Sequence, residues 1–193
     1  MFSIDLINRD LSFGEELIVM KFLVISTSAN PDSNSRKMGQ LAYESLKKAG
    51  ADCEWLDTRE LNLPVCDADS CYADPSVKTF AAAIKGADGI LIAAPVYNFD
   101  VSAAAKNMIE LTGEAWNDKI VGFLCAAGGQ NSYMSVMAYA NSLMLDFRCT
   151  IVPRFVYATG EAFDDNTITD RTITKRIQEL ASEIMRFVKG LRA

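Results

Sequence analysis

The sequence predicts an open, doubly wound α/β fold, a five-stranded parallel sheet with helices on both faces. Three observations carry this. Strand-length apolar runs recur along the chain, amphipathic helical patterns separate them, and loops rich in hydroxyls, aromatics or glycine follow the first, third and fourth runs.

Phe22 to Ser26 is the first strand, followed by the polar loop Thr27 to Asn34. A helix then places Met38, Leu41, Ala42, Ser45, Leu46 and Ala49 at helical spacing and stops at Gly50. Cys53 to Leu56 is the second strand. Asp74 as N-cap with Pro75 in the first turn opens a helix that runs to Gly86. Gly89 to Ala94 is the third strand, and Val101 to Leu111 the third helix, with Ala104, Ala105, Met108 and Ile109 facing inward. Ile120 to Ala127 is the fourth strand and Ser132 to Leu145 the fourth helix. Thr150 to Val156 closes the sheet, and Pro153 inside it places that strand at an edge. The last helix lines up Ile173, Ile177, Leu180, Ile184, Val188 and Leu191. Five such strands favour the order 2-1-3-4-5.

Residues 20–193 read as one domain, with 1–19 as an extension. Met20-Lys21 directly before the first apolar run suggests a natural start at Met20; a short extension packed on the surface is the alternative. Half the chain is apolar, which argues against a disordered protein. A net charge of −6 argues against a nucleic-acid partner or an anionic membrane surface. No apolar run approaches the roughly 20 residues of a membrane span. The five cysteines, scattered and without an export signal, read as reduced thiols of a cytoplasmic protein.

Ligands of an open parallel sheet bind beyond the carboxyl ends of its strands, where the strand order reverses. The first loop there, Ser26 to Arg36, is dense in hydroxyls and amides and enters a helix N-terminus. It can ring a phosphate, or its serines can simply cap the helix. The second, Ala94 to Asp100, offers Tyr97 and Phe99 as a flat surface for an isoalloxazine ring, though aromatics also pack beneath loops. In the third, Gly128-Gly129 lets backbone approach a ligand closely or forms an ordinary turn.

Thr27-Ser28-Ala29-Asn30 with Ser33, Pro95-Val96-Tyr97-Asn98 and Gly128-Gly129 together resemble the motifs of the NADPH-dependent FMN reductase family. That flavodoxin-like group includes quinone, azo-dye and chromate reductases. The resemblance covers Lys21 to Phe163. It implies FMN as cofactor, NAD(P)H as co-substrate, a small-molecule electron acceptor and a homodimer or homotetramer. Ser28, Asn30, Ser33 and Ser35 would then contact the FMN phosphate. Pro95, Val96, Tyr97 and Asn98 would line the flavin ring, and Gly128, Gly129 and Gln130 its pyrimidine edge. The family's loop arginine is replaced here by Asn30; Arg36 is read as an exposed ion pair or a compensating charge. Lys106 is read as structural.

Related iron–sulfur flavoproteins place four cysteines where this chain has Cys66 and Cys71, and two cannot hold a four-iron cluster within one chain. The fourth helix spreads Met134, Val136, Met137, Tyr139, Leu143 and Met144 over more than one face, as subunit contact or deep burial would require. There is no histidine. Hydride transfer needs none, because a flavin carries the chemistry itself. Ping-pong reduction of a quinone, flavin, azo compound or metal oxyanion is the resulting expectation. An electron carrier serving protein partners and a scaffold without cofactor are its rivals.

Overall fold

The computed structural model describes residues 20–165 and 167–192, so the reading of residues 1–19 lies outside the described residues. The central sheet contains β1 (Lys21–Ser26), β2 (Asp52–Asp57), β3 (Gly89–Tyr97) and β5 (Ile120–Ala127), all parallel, in the order β2-β1-β3-β5. The edge beyond β5 holds β6 (Thr150–Ile151) and β7 (Val156–Thr159). A seventh strand, β4 (Asp100–Val101), returns antiparallel along the end of β3. The parallel path keeps the expected doubly wound, flavodoxin-like order.

Alternation along the strands sorts side chains to the two faces. Leu23, Ile25, Ile90, Ile92, Val121 and Phe123 point to one core. It is covered by α2 (Pro75–Gly86), α3 (Ala103–Thr112) and α4 (Met137–Phe147). Phe22, Val24, Leu91, Ala93 and Leu124 point to the other, beneath α1 (Asn34–Lys48) and α5 (Arg171–Arg192). Met38, Ala42 and Leu46, at i, i+4 and i+8 of α1, are fully buried there. Gly50, at φ +82°, turns the chain out of α1 in the left-handed region that favours glycine. Asp74 caps α2 as expected, accepting the Ser76 N–H at 2.7 Å, with Pro75 in the first turn.

Four boundaries differ from the sequence reading. The fifth strand is split: Ile120 faces Thr150, but Leu124 faces Val156, so the edge spends two more residues than β5 over that stretch. Pro153, without an N–H, and Arg154, at φ +61°, bow outward where the ladder breaks. β3 runs three residues past Ala94, and Val101 belongs to β4, so α3 starts at Ala103 behind the N-cap Ser102. The fourth helix is composite. Gln130–Val136 is a 3-10 segment interrupted at Ser132, and α4 proper begins at Met137. In α5, Ile173, Ile177, Leu180, Ile184 and Val188 are buried as expected, whereas Leu191 is exposed.

Candidate active site

The loop after β1 is held from below. The Thr27 N–H donates to the Ala93 carbonyl at 2.9 Å, and the Ser102 hydroxyl donates to the Thr27 carbonyl at 2.9 Å. The same Ser102 oxygen accepts the Ala105 N–H at 3.3 Å, so the cap of α3 also ties the first loop to the second.

Arg36 fixes the rest of that loop, and here the reading of an exposed ion pair is corrected. The residue is buried (8% exposed) and its Nε donates to Asp57 Oδ2 at 2.5 Å. Nη1 donates to the carbonyls of Asn30 and Pro31 at 2.6 and 2.9 Å, and Nη2 to that of Ser28 at 2.7 Å. Three carbonyl dipoles are thereby drawn toward a guanidinium under the loop. Their negative ends are satisfied there and do not repel an anion above it. The planar five-donor fork of arginine makes this possible; a lysine cannot reproduce it.

Above this base the Ser33 hydroxyl caps α1, accepting the Arg36 N–H at 3.2 Å, and sits 2.9 Å from the Ser35 hydroxyl. The Ser28 hydroxyl accepts the Asn30 N–H at 3.3 Å, and the Asn30 side-chain oxygen accepts the Asp32 N–H at 3.0 Å. Hydroxyls thus gather at the positive end of a 15-residue helix, an arrangement suited to an anionic oxygen cluster.

The second loop is a tight hairpin. Val96 pairs with Val101 and Tyr97 with Asp100, leaving Asn98 and Phe99 as its two turn residues at φ +51° and +66°. Both central residues of such a turn need positive φ, which asparagine tolerates readily and phenylalanine adopts only at a cost. Phe99 accepts this conformation and remains 56% exposed, beside a Tyr97 that is 53% exposed. A strained, solvent-facing aromatic contributes little to the fold and points to a ligand.

The third loop supplies Ala126, Ala127 and Gly128. Gly128 is not among the positive-φ glycines, and a methyl group on it would meet none of the described atoms within 4 Å. Neither backbone conformation nor protein packing explains the missing side chain.

These loops enclose a cleft of about 200 Å³ at the carboxyl ends of β1, β3 and β5. It brings together the predicted Ser28, Asn30, Ser33, Ser35, Pro95, Val96, Tyr97 and Gly128. Asn98 occupies the hairpin tip, and the Gly129 carbonyl accepts the Tyr157 hydroxyl. Gln130 lines a neighbouring cavity of about 560 Å³ with Tyr157 and Arg176. The sequence reading missed Asp32 and Asn34 as wall residues, although both lie inside the hydroxyl-rich loop. It also missed Gly160, which follows β7; a fifth strand ending at Val156 concealed that loop. Lys106 forms an exposed i, i+4 pair with Glu110 at 2.7 Å. A further cavity of about 900 Å³ runs along α5 past Pro153 and Arg154, and its wall mixes arginines with glutamates.

Residues 20–164 match the family model described as NADPH-dependent FMN reductase. An NAD(P)H-dependent FAD/FMN reductase of Geobacillus thermodenitrificans is 25% identical over 138 residues, 69% of this chain and 74% of that one. The FMN reductase (NADPH) of Escherichia coli is 33% identical over 121 residues, covering 61% of this chain and 62% of its own length. Among solved structures, FerB, the flavoenzyme NAD(P)H:(acceptor) oxidoreductase from Paracoccus denitrificans, superposes with a TM-score of 0.72 at 20% identity. That superposition covers 89% of this chain and 98% of FerB.

Proposed function

The chain belongs to the NADPH-dependent FMN reductase family, and on that premise we propose that its cleft holds FMN and serves an NAD(P)H-dependent oxidoreductase. The electrons pass to a quinone, a flavin, an azo compound or a metal oxyanion. The observation that carries this reading is the hairpin: Phe99 is kept exposed at its tip at unfavourable backbone cost, and the half-exposed Tyr97 of the same hairpin lines the hydroxyl-rich cleft at the N-terminus of α1.

The residues fit the cofactor. Ser28, Asn30, Ser33 and Ser35 would hold the phosphate over the N-terminus of α1. Pro95, Val96, Tyr97 and Asn98 would support the ring. Gly128, Gly129 and Gln130 would meet its polar edge, with Gly128 leaving room a methyl group would fill. The enclosed 200 Å³ falls below the roughly 300 Å³ of small ligand pockets, which suits a phosphate and its chain in the cleft with the ring spread over the open hairpin. Bound FMN supplies the two-electron chemistry; the protein supplies position and electrostatics. No protein acid or base is required, consistent with a chain that has no histidine. NAD(P)H and the acceptor use one open face in turn. Asn30, in place of a fixed positive charge, leaves the choice of nicotinamide to other contacts.

The protein acts in the cytoplasm as a homodimer or homotetramer, and without a nucleic-acid or membrane partner. Among the described residues no helix is long and apolar enough to cross a membrane, and the net charge of −6 disfavours polyanions. Exposed Tyr133, Met134 and Met137, next to the cleft's third loop, support self-association. Initial rates with NAD(P)H and a quinone varied together test the reaction order. Parallel double-reciprocal lines are expected, and lines that intersect would overturn the shared face.

A further inference from the structure

The connection between β2 and α2 holds two of the five cysteines, and its geometry separates them from the other three. The Asp67 carboxylate organises it, accepting the Asp69 N–H at 2.9 Å, the Cys71 N–H at 3.0 Å and the Ser70 hydroxyl at 2.6 Å. The Cys66 N–H donates to the Asn107 side-chain oxygen at 2.8 Å, and Asn107 donates in turn to the Pro64 carbonyl at 2.9 Å. This clamp sets the Cys66 and Cys71 sulfurs 3.9 Å apart, with both thiols reduced. A disulfide between them requires the sulfurs to close to about 2.05 Å with a Cβ–S–S–Cβ dihedral near ~90°.

The two sulfurs differ in access. Cys71 is buried against Val77 and Leu111, whereas Cys66 is partly exposed, with its sulfur 3.7 Å from the Tyr72 hydroxyl. Cys53, Cys125 and Cys149 are buried elsewhere in the fold. Burial pushes the thiols of Cys53 and Cys125 up to about 12 and that of Cys149 to about 11, so all three stay protonated and inert. Burial also raises the Cys71 thiol, which makes it the resolving partner and not the first nucleophile.

We propose that Cys66 and Cys71 form a dithiol–disulfide exchange site for low-molecular-weight disulfides, distinct from the FMN cleft. The Cys66 thiolate attacks one sulfur of the disulfide RSSR; that S–S bond breaks, a mixed disulfide forms on Cys66 and one RS⁻ leaves. Cys71 then gives up its proton and attacks the Cys66 sulfur, expelling the second RS⁻. The two thiol protons end on the two released thiolates. The protein pair is oxidised by two electrons, and one RSSR is reduced to two RSH.

Oxidised glutathione is the probe, applied to the full chain at neutral pH and followed by alkylation and peptide mass spectrometry. The expected product is a Cys66–Cys71 cross-link with two thiols lost and three still alkylated after denaturation. Cys71→Ser should stop at a glutathione adduct on Cys66, and Cys66→Ser should not react. Thermal unfolding of each variant checks that it is folded. Wild-type protein that ends with glutathione on Cys66, with all five thiols intact, or with oxidation at another cysteine overturns the proposal. None of these readouts depends on bound FMN, so a failed flavin assignment leaves this test unaffected.

Discussion

Replacing Arg36 by methionine keeps the stem in place but removes a guanidinium that makes four close polar contacts. Asp57, only 4% exposed, would be left as a buried carboxylate retaining the Arg59 N–H among its donors. Breaking a buried pair from one side typically costs about 3–5 kcal/mol, since the remaining charge loses its partner in a poorly solvated site. The carbonyls of Ser28, Asn30 and Pro31 would also lose their donor, and the loop that presents Ser28 and Ser33 would no longer be fixed. Urea unfolding should therefore show a loss of about 3–5 kcal/mol for R36M, and a smaller one for the double variant R36M/D57N, which has no orphaned charge. The same variants separate stability from recognition when FMN and riboflavin are titrated under conditions where each protein is folded. The loop is argued to hold the phosphate, so FMN affinity should fall at least about tenfold, equivalent to 1.4 kcal/mol, while riboflavin affinity is unchanged. Equal losses for both flavins, or none for FMN, would refute the claim that Arg36 shapes a phosphate site.

Phe99→Gly should relieve left-handed strain worth about 1–2 kcal/mol and raise the unfolding midpoint, yet weaken FMN binding measured by fluorescence quenching. Gly128→Ala should leave stability within about 0.5 kcal/mol or slightly improved, because the methyl group meets no described atom, and still reduce FMN affinity in the same titration. Cys125, fully buried, has a thiol pushed up to about 12 by desolvation, so above pH ~8.5 the unfolded chain loses a proton that the native one retains. Stability should then fall as pH rises through the window from ~8.5 to about 12, at up to about 1.4 kcal/mol per pH unit for this group. Urea titrations at several alkaline pH values should show a shallower decline for Cys125→Ala.

The strands and the covering of the sheet on both sides were legible because burial on both faces writes continuous apolar runs, as in Ile90 to Ala94 and Ile120 to Ala126. The hydroxyl loop and the Pro95-Val96-Tyr97-Asn98 segment were legible as composition at predictable positions along the sheet edge. What escaped was long-range or local in three dimensions. Arg36 reads as a surface cation until Asp57, 21 residues later at the end of β2, is brought beside it by parallel pairing. The hairpin at Asn98-Phe99 lacks the glycine that normally marks such a turn, so the sequence reads Asp100 as loop and Val101 as the start of a helix. A two-residue bow at Pro153 concealed both the break in the edge strand and the loop carrying Gly160.

Anaerobic titration of the FMN-loaded protein with NADH and with NADPH, followed by visible absorbance, tests the central claim most directly. The account predicts one FMN bound per chain and its full two-electron bleaching by at least one of the two nicotinamides, reversed on addition of a quinone. A protein that takes up no FMN would contradict the assignment of the cleft. One that binds FMN but is bleached by neither nicotinamide, or is reduced only through a stable one-electron stage by a chemical reductant, would contradict the reductase and support an electron carrier.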